Sequence, residues 1–281
     1  LKEKNMIRHE QGELVYFSYS IFTPYEQILS AISSRKGGVS AQPFDSLNLA
    51  LSVGDDSIAV IINRERLCKT IGVEADAMTI AQLMQGTHIE VVTSSSRGLN
   101  AAEKAKRFVD TDGLVTNVAE VPLFIFIADC AALSFFDPKR NVIGIGHAGW
   151  RGTVGGIAHK MVEAMNGAFD CNPEDVLVGI SPSIGPCCYQ VREDVVEAFQ
   201  GAYPEQASAF FVQQPDGSLH LDMWTALTCQ LRSSGIQEEH IDLAGICTAC
   251  HTDIFYSNRA EGGKTGRFTG MITLLPLSSE T

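Results

Sequence analysis

The chain has 281 residues, with 33 acidic against 21 basic side chains, a formal charge of -12 and 45% hydrophobic content. Lacking any Lys/Arg-rich run, it has no phosphate-neutralising stripe for nucleic acid, and an anionic membrane surface repels it on average. Its longest apolar run, residues 121–128, falls far short of the roughly 20 residues of a membrane span, and the basic opening, residues 1–7, has no apolar segment behind it, so no signal peptide and a cytoplasmic location are expected.

No repeat, low-complexity tract or Pro/Ser-rich linker divides the chain, so one continuous domain is expected. Between Ser57 and Gly72, the residues Ile58, Val60, Ile61, Ile62, Leu67 and Ile71 with charges between them predict a half-buried helix that stops at the glycine. Residues 88–92 read as a strand. The continuous apolarity of Leu123-Phe-Ile-Phe-Ile predicts a strand buried on both faces. Leu133-Ser-Phe-Phe and Val142-Ile-Gly-Ile-Gly are further strands, joined by turn chemistry at Asp137-Pro-Lys-Arg-Asn. From Thr153 the period changes. Val154, Ile157, Ala158, Met161, Val162 and Met165 have the spacing of one amphipathic helix, which places Gly146-His-Ala-Gly-Trp-Arg-Gly at a strand-to-helix junction. A strand over 176–180, helices over 194–200 and 222–233, and strands over 242–247 and 268–275 complete the pattern. The hairpin-like turn at Asp137 points to mixed rather than purely parallel pairing.

Eight cysteines are too sparse for a disulfide scaffold, and in a reducing compartment each thiol must be judged by its surroundings. Asp129-Cys130 follows the buried strand, and His147 ends a later one. Such a pair serves either as thiolate and imidazole in nucleophilic catalysis or as ligands for zinc or copper, against the plainer reading of two packed core residues. Around His147, Gly146, Gly149 and Gly152 let the backbone turn tightly. Arg151 arrives at a predicted helix N-terminus, a place suited to an anion, and Trp150 offers a flat face to a ring. In Ser181-Pro-Ser-Ile-Gly-Pro-Cys-Cys-Tyr, the residues Cys187, Cys188 and Tyr189 either line a pocket or simply pack. Cys247-Thr-Ala-Cys250 suggests zinc or redox work, but a structural zinc needs four ligands and no second CxxC or HxxxH follows it. Ser257, Arg259, Lys264, Thr265, Gly266 and Arg267 form a basic, Gly-rich stretch, either a solvated loop or a phosphate or ribose contact. The polar segments Arg35-Lys-Gly-Gly-Val-Ser, Phe44-Asp-Ser-Leu-Asn-Leu and Gly54-Asp-Asp suggest a functional loop.

Together these stretches resemble the multicopper polyphenol oxidoreductase (laccase-domain) family, the YfiH- or YlmD-like proteins also described as purine nucleoside phosphorylases. The matching segments run in family order from residue 30 to 275 and include Ser46-Leu-Asn-Leu, Asp112-Gly-Leu-Val-Thr, Ala128-Asp-Cys, His147-Ala-Gly-Trp-Arg-Gly, Ile184-Gly-Pro-Cys-Cys-Tyr, Cys247-Thr-Ala-Cys and Thr265-Gly-Arg. The resemblance implies an α+β fold, a single four-layer α/β/β/α sandwich with mixed sheets. It implies phosphorolysis of adenosine, inosine, guanosine and methylthioadenosine, together with adenosine deamination. It also implies a pocket where two histidines and a cysteine bind zinc, or copper. Cys130 and His147 match two of those ligands. The third position, in Leu83-Met-Gln-Gly, holds Gln85, an amide that is a poor zinc ligand beside imidazole. His88 substitutes only if the loop is re-formed, because strand alternation would put 85 and 88 on opposite faces.

On this reading Cys130, His147 and Arg151 are the catalytic residues, and Arg35, Trp150, Tyr189 and Arg267 are the substrate contacts. The expected partners are purine nucleosides and phosphate, with neither nucleic acid nor membrane, in a monomer or homodimer. A rival reading keeps the pocket without the metal, as a cysteine hydrolase with Cys130 as nucleophile, His147 as base and Asp129 or a backbone carbonyl orienting the imidazole. Another is a nucleoside-binding protein with reduced activity. Multicopper oxidation is disfavoured, since the seven histidines, at 9, 88, 147, 159, 220, 240 and 251, show no HxH pattern.

Overall fold

A computed structural model describes residues 6–98 and 108–276; the first five residues of the opening segment lie outside it. In chain order, β1 (Met6–Gln11), β2 (Leu14–Tyr19) and β3 (Ile28–Ser33) precede α1 (Ser57–Ile71), which is followed by β4 (Thr79–Ile80), β5 (Ile89–Val91), β6 (Gly113–Thr116) and β7 (Leu123–Ile127). The hairpin β8 (Ala131–Asp137) and β9 (Val142–Ala148) leads into α2 (Trp150–Val154) and α3 (Ile157–Phe169). After β10 (Leu177–Ile180) and α4 (Glu193–Ala202) come β11 (Phe211–Gln213), β12 (Leu219–Leu221), α5 (Met223–Ser233), β13 (Ile241–Leu243) and β14 (Phe268–Leu274).

Two six-stranded sheets, ordered β1-β2-β3-β14-β7-β4 and β13-β10-β8-β9-β6-β5, lie face to face. Both are mixed: β4 is parallel to β7, β10 to β13 and β5 to β6, while the other pairs are antiparallel. Phe17, Ile32, Ile125, Phe268 and Ile272 of the first sheet meet Ala132, Phe136, Ile143 and Ile145 of the second in a shared apolar core. Leu67, Cys68 and Ile71 of α1 cover the outer face of the first sheet against Ala31, Phe124 and Met271. The outer face of the second is covered by Ile157, Met161 and Met165 of α3 with Leu227 and Leu231 of α5. The order helix, sheet, sheet, helix is the expected α/β/β/α sandwich. With both faces of each sheet covered, central strands such as β7 read as unbroken apolar runs.

The helix expected from Thr153 is two helices. Gly156 adopts φ +79, a left-handed conformation that ends the α-helical path, so Val154 packs with Trp150 against Phe199 and Phe210 while Ile157 onward faces the second sheet. The strand expected over 242–247 ends at Leu243, because the chain then leaves the sheet and Cys247 bridges only Ser183. Strands β1 to β3 are not among the expected elements, although Leu14-Val-Tyr-Phe-Ser-Tyr of β2 is rich in strand-favouring residues. The β8–β9 turn forms as the composition suggests: the Asp137 carboxylate accepts the N–H groups of Lys139 and Arg140, and Asn141 takes φ +54.

Candidate active site

Hairpin register brings the central pair together. β8 and β9 are antiparallel with Ala132 opposite His147 and Ala131 opposite Ala148, so Cys130, one residue before β8, sits beside Gly149, just past the end of β9. A Cβ on Gly149 would lie 3.2 Å from Cys130 Sγ and 3.7 Å from His147 Cε1, so the glycine leaves room for the sulfur beside the ring. The neighbouring register, Gly113 opposite Gly146, sets Asp112 against His147 from the other side. The His147 N–H donates to the Asp112 carbonyl at 2.7 Å, and Nδ1 lies 2.8 Å from the Asp112 carboxylate.

Asp112 is itself held by backbone N–H groups of Met84, Gln85 and Gly86. Burial alone would raise its pKa, but the His147 hydrogen bond and the Gly86 and Met84 amides outweigh burial and lower it. Burial alone would likewise lower His147. The Cys130 sulfur and the Asp112 carboxylate overcome that and raise it to about 9. With Nδ1 fixed on Asp112, Nε2 is directed to Cys130. Asp112–His147–Cys130 is therefore an ordered chain that ends at the pocket.

Asp129 does not orient the imidazole. At φ +81 its carboxylate turns away, accepting the Thr248 hydroxyl at 2.7 Å and the Arg259 N–H at 2.6 Å. The orienting role falls to Asp112, whose motif was visible only through the family resemblance.

Cys130 lines a cavity of about 220 Å³, which adjoins a larger one of about 660 Å³ that Cys130 does not reach. They share Trp150, Arg151, Tyr189 and Arg259, and the larger one adds Arg192. Its volume lies within the roughly 300–1,000 Å³ usual for small-ligand sites. Arg151 stacks over Trp150 at 4.2 Å and donates to Gln85 Oε1 at 3.1 Å. Arg259 lies 5.4 Å from the Tyr189 ring centre and donates to the Gln190 carbonyl. Three arginines and one carboxylate, Asp194, thus line the larger cavity in a protein of charge -12. Arg192 was not among the expected residues, and Arg259 only as part of a basic stretch. Neither has a periodic signature, because each arrives on a loop. The expected helix N-terminus behind Arg151 is the five-residue α2, so the positive charge here comes from side chains.

Other expected residues lie elsewhere. Arg35 is buried, donating to the carbonyls of Asp45 and Thr252 and to Glu261, and stacked on Tyr256 at 4.5 Å. The suspected functional loop around it is tied together from within by Asn63 of α1, which donates to Ser40, Ser46 and Asn48, while Lys36 and Val39 remain exposed. Arg267 lies behind the pocket, its guanidinium donating to the Thr265 and Gly266 carbonyls; burial lowers its pKa despite the nearby Cys130 and Asp129. Gln85 takes φ +60 in a loop, not a strand, so the alternation argument for positions 85 and 88 does not apply. The exposed His88 pairs with Glu90 at 3.2 Å. Cys187, Cys188, Cys247 and Cys250 do not line the cavities but gather with their sulfurs within 4.8 Å of one another.

The pocket offers a metal two strong donors, Cys130 and His147. In the third position stands an amide oxygen already engaged by Arg151, and the Asp112 carboxylate is spent on Nδ1. This donor set does not fit a three-ligand zinc or copper site.

The structure is thus an α/β/β/α sandwich with a cysteine–histidine–aspartate chain beside a pocket lined by Arg151 and Arg259. The family model "Multi-copper polyphenol oxidoreductase laccase" matches residues 29–275, and the chain belongs to that family. It is 36% identical over 249 residues to the "Purine nucleoside phosphorylase YlmD" of Geobacillus stearothermophilus, covering 89% of this chain and 91% of that protein. It is 30% identical over 247 residues to "Adenosine deaminase RL5" of an unknown prokaryotic organism, covering 86% and 93%. The crystal structure of the Geobacillus YlmD superposes with a TM-score of 0.89 at 32% identity over 97% of this chain and 100% of that one. Among the described residues no helix is long and apolar enough to cross a membrane.

Proposed function

We propose that this chain is a purine nucleoside phosphorylase with adenosine deaminase activity, acting on adenosine, inosine, guanosine and methylthioadenosine in the pocket beside Cys130. The observation that carries the reading is that Arg151 and Arg259, with Trp150 and Tyr189, line the cavity at the end of the Asp112–His147–Cys130 chain and continue into the adjoining cavity, where Arg192 joins them. In an acidic protein, three arginines held together suit a phosphate, and flat rings beside them suit a purine. The names of the relatives point the same way.

In phosphorolysis, a phosphate oxygen attacks the ribose C1′ as the bond to the purine breaks, giving ribose 1-phosphate and the free base. Arg151 and Arg259 hold the phosphate and neutralise charge as it moves, with Gln85 fixing the Arg151 guanidinium. The departing purine needs a proton, and the Cys130–His147 pair borders the pocket with one to give. Because Asp112 anchors Nδ1, that proton is presented at one defined edge of the ring. In deamination, water adds at the purine C6 and ammonia leaves. The same pair takes a proton from the water and returns one to the departing amine.

Adenosine and phosphate incubated with the protein, zinc supplied, should yield ribose 1-phosphate with adenine, or inosine and hypoxanthine after deamination. If none of these products forms, the reading is wrong. One observation favours a second reading: the order Asp112, His147, Cys130 is also that of a cysteine hydrolase. Inactivation by iodoacetamide of a phosphate-independent hydrolysis, with no effect of chelator, would select it.

A further inference from the structure

The thiol cluster outside the pocket carries an inference independent of the purine chemistry. We propose that Cys187, Cys188, Cys247 and Cys250 form a tetrathiolate site for one zinc ion, which fastens the loop bearing Tyr189 to the loop bearing Thr248. The four Sγ atoms lie within 4.8 Å of one another, with Cys250 Sγ 3.5 Å from Cys187 and 3.4 Å from Cys188. A tetrahedral ion with Zn–S bonds of about 2.3 Å sets its sulfurs about 3.8 Å apart, so the observed spacing brackets that of one ion. It leaves no room for an iron–sulfur core. Four soft donors with no carboxylate or imidazole among them match structural zinc.

The scaffold holds this geometry through the backbone. Ser183 and Cys247 form a parallel bridge, with Ser183 N–H donating to the Ile246 carbonyl and Thr248 N–H to the Ser183 carbonyl. Gly185 turns the first loop. Its carbonyl accepts the N–H groups of Cys188 and Tyr189, its own N–H donates to Cys247 Sγ at 3.2 Å, and a Cβ there would meet the Trp224 ring at 2.6 Å. An N–H aimed at a sulfur is how proteins orient and stabilise a metal-bound thiolate. Binding displaces up to four thiol protons and leaves a site of charge -2. The ion would also brace the pocket from behind, since Tyr189 follows Cys188 and Thr248 follows Cys247, with the Thr248 hydroxyl on Asp129.

The test is the zinc content of the full chain, purified under reducing conditions, as wild type, Cys130→Ala and Cys187→Ser/Cys250→Ser. One zinc per chain is expected in the wild type and in Cys130→Ala, and loss to background in the double variant. Cobalt(II) loaded in place of zinc should show thiolate charge-transfer absorption in the first two proteins alone. Should the double variant fail to fold, the wild type still decides: one equivalent of zinc should protect all four cysteines from alkylation, mapped by peptide mass spectrometry. Zinc retained by the folded double variant, alkylation indifferent to zinc, or copper in place of zinc at these thiols would each overturn the proposal.

Discussion

Two sulfur-bearing regions lie close together in this molecule, and their surroundings set them apart. Cys130 stands alone at the end of a chain of charged hydrogen bonds, with Asp112 holding His147 and His147 facing the sulfur, and it opens on a cavity rimmed by arginines. The four cysteines at the Ser183–Cys247 bridge have one another and the Gly185 backbone amide for partners, with no imidazole or carboxylate among the clustered ligand atoms. A lone thiol beside an oriented imidazole is placed to move a proton, whereas thiols gathered around one point are placed to share an ion. Asp129 links the two, taking the Thr248 hydroxyl from the cluster side and the Arg259 N–H from the pocket side.

The largest expected effect separates the regions outright. Cys130→Ala should lower turnover of adenosine about 10²–10⁴-fold, the usual loss when a proton-transfer group is removed, and equal losses in Cys130→Ala and in Cys187→Ser/Cys250→Ser would erase the distinction. Next, Arg151→Ala should reduce kcat for phosphorolysis about 10²–10³-fold by removing one transition-state charge contact. Deamination, which uses no phosphate, should suffer less, as product ratios by chromatography will show.

Gln85→His tests the pocket by gain. Position 85 adopts φ +60, where histidine is among the better-tolerated residues, and its imidazole would complete a three-donor set with Cys130 and His147. Metal analysis should find one further zinc per chain, persisting when Cys187 and Cys250 are replaced by serine. A pH series on the metal-free protein reads His147. Its folded pKa of about 9 lies above the ordinary 6.5, so folding favours the protonated ring; this stabilisation is complete below 6.5 and is lost as pH rises through about 9. The difference in Tm between wild type and His147→Gln should narrow over that window, and a constant difference would sink the electrostatic account. The smallest effect is at the link: Thr248→Val leaves Asp129 short of one buried partner and should cost about 1–3 kcal/mol in chemical denaturation.

Much of this was legible along the chain. The apolar run of β7, the turn chemistry at Asp137 and the stop at Gly72 announced their elements because each depends on neighbours close in sequence. The sequence also marked Cys130, His147 and Arg151, and through motif resemblance the α/β/β/α architecture. What it could not determine depends on register and on loops far apart in the chain. Asp112 meets His147 because β6 pairs with β9 at Gly113 and Gly146, and no local pattern encodes which of two nearby aspartates a histidine faces. Arg35 looked as available as Arg151, yet only the packing of Tyr256 and Glu261 reveals that its charge is already used. The Cys247-Thr-Ala-Cys250 motif seemed to lack its other half because that half, Cys187-Cys188, is adjacent only in space. A net charge of -12 is a sum over the chain, while binding is decided by the local field. Only the tertiary structure gathers Arg151 from α2, Arg192 from the N-cap of α4 and Arg259 from a distant turn around one cavity.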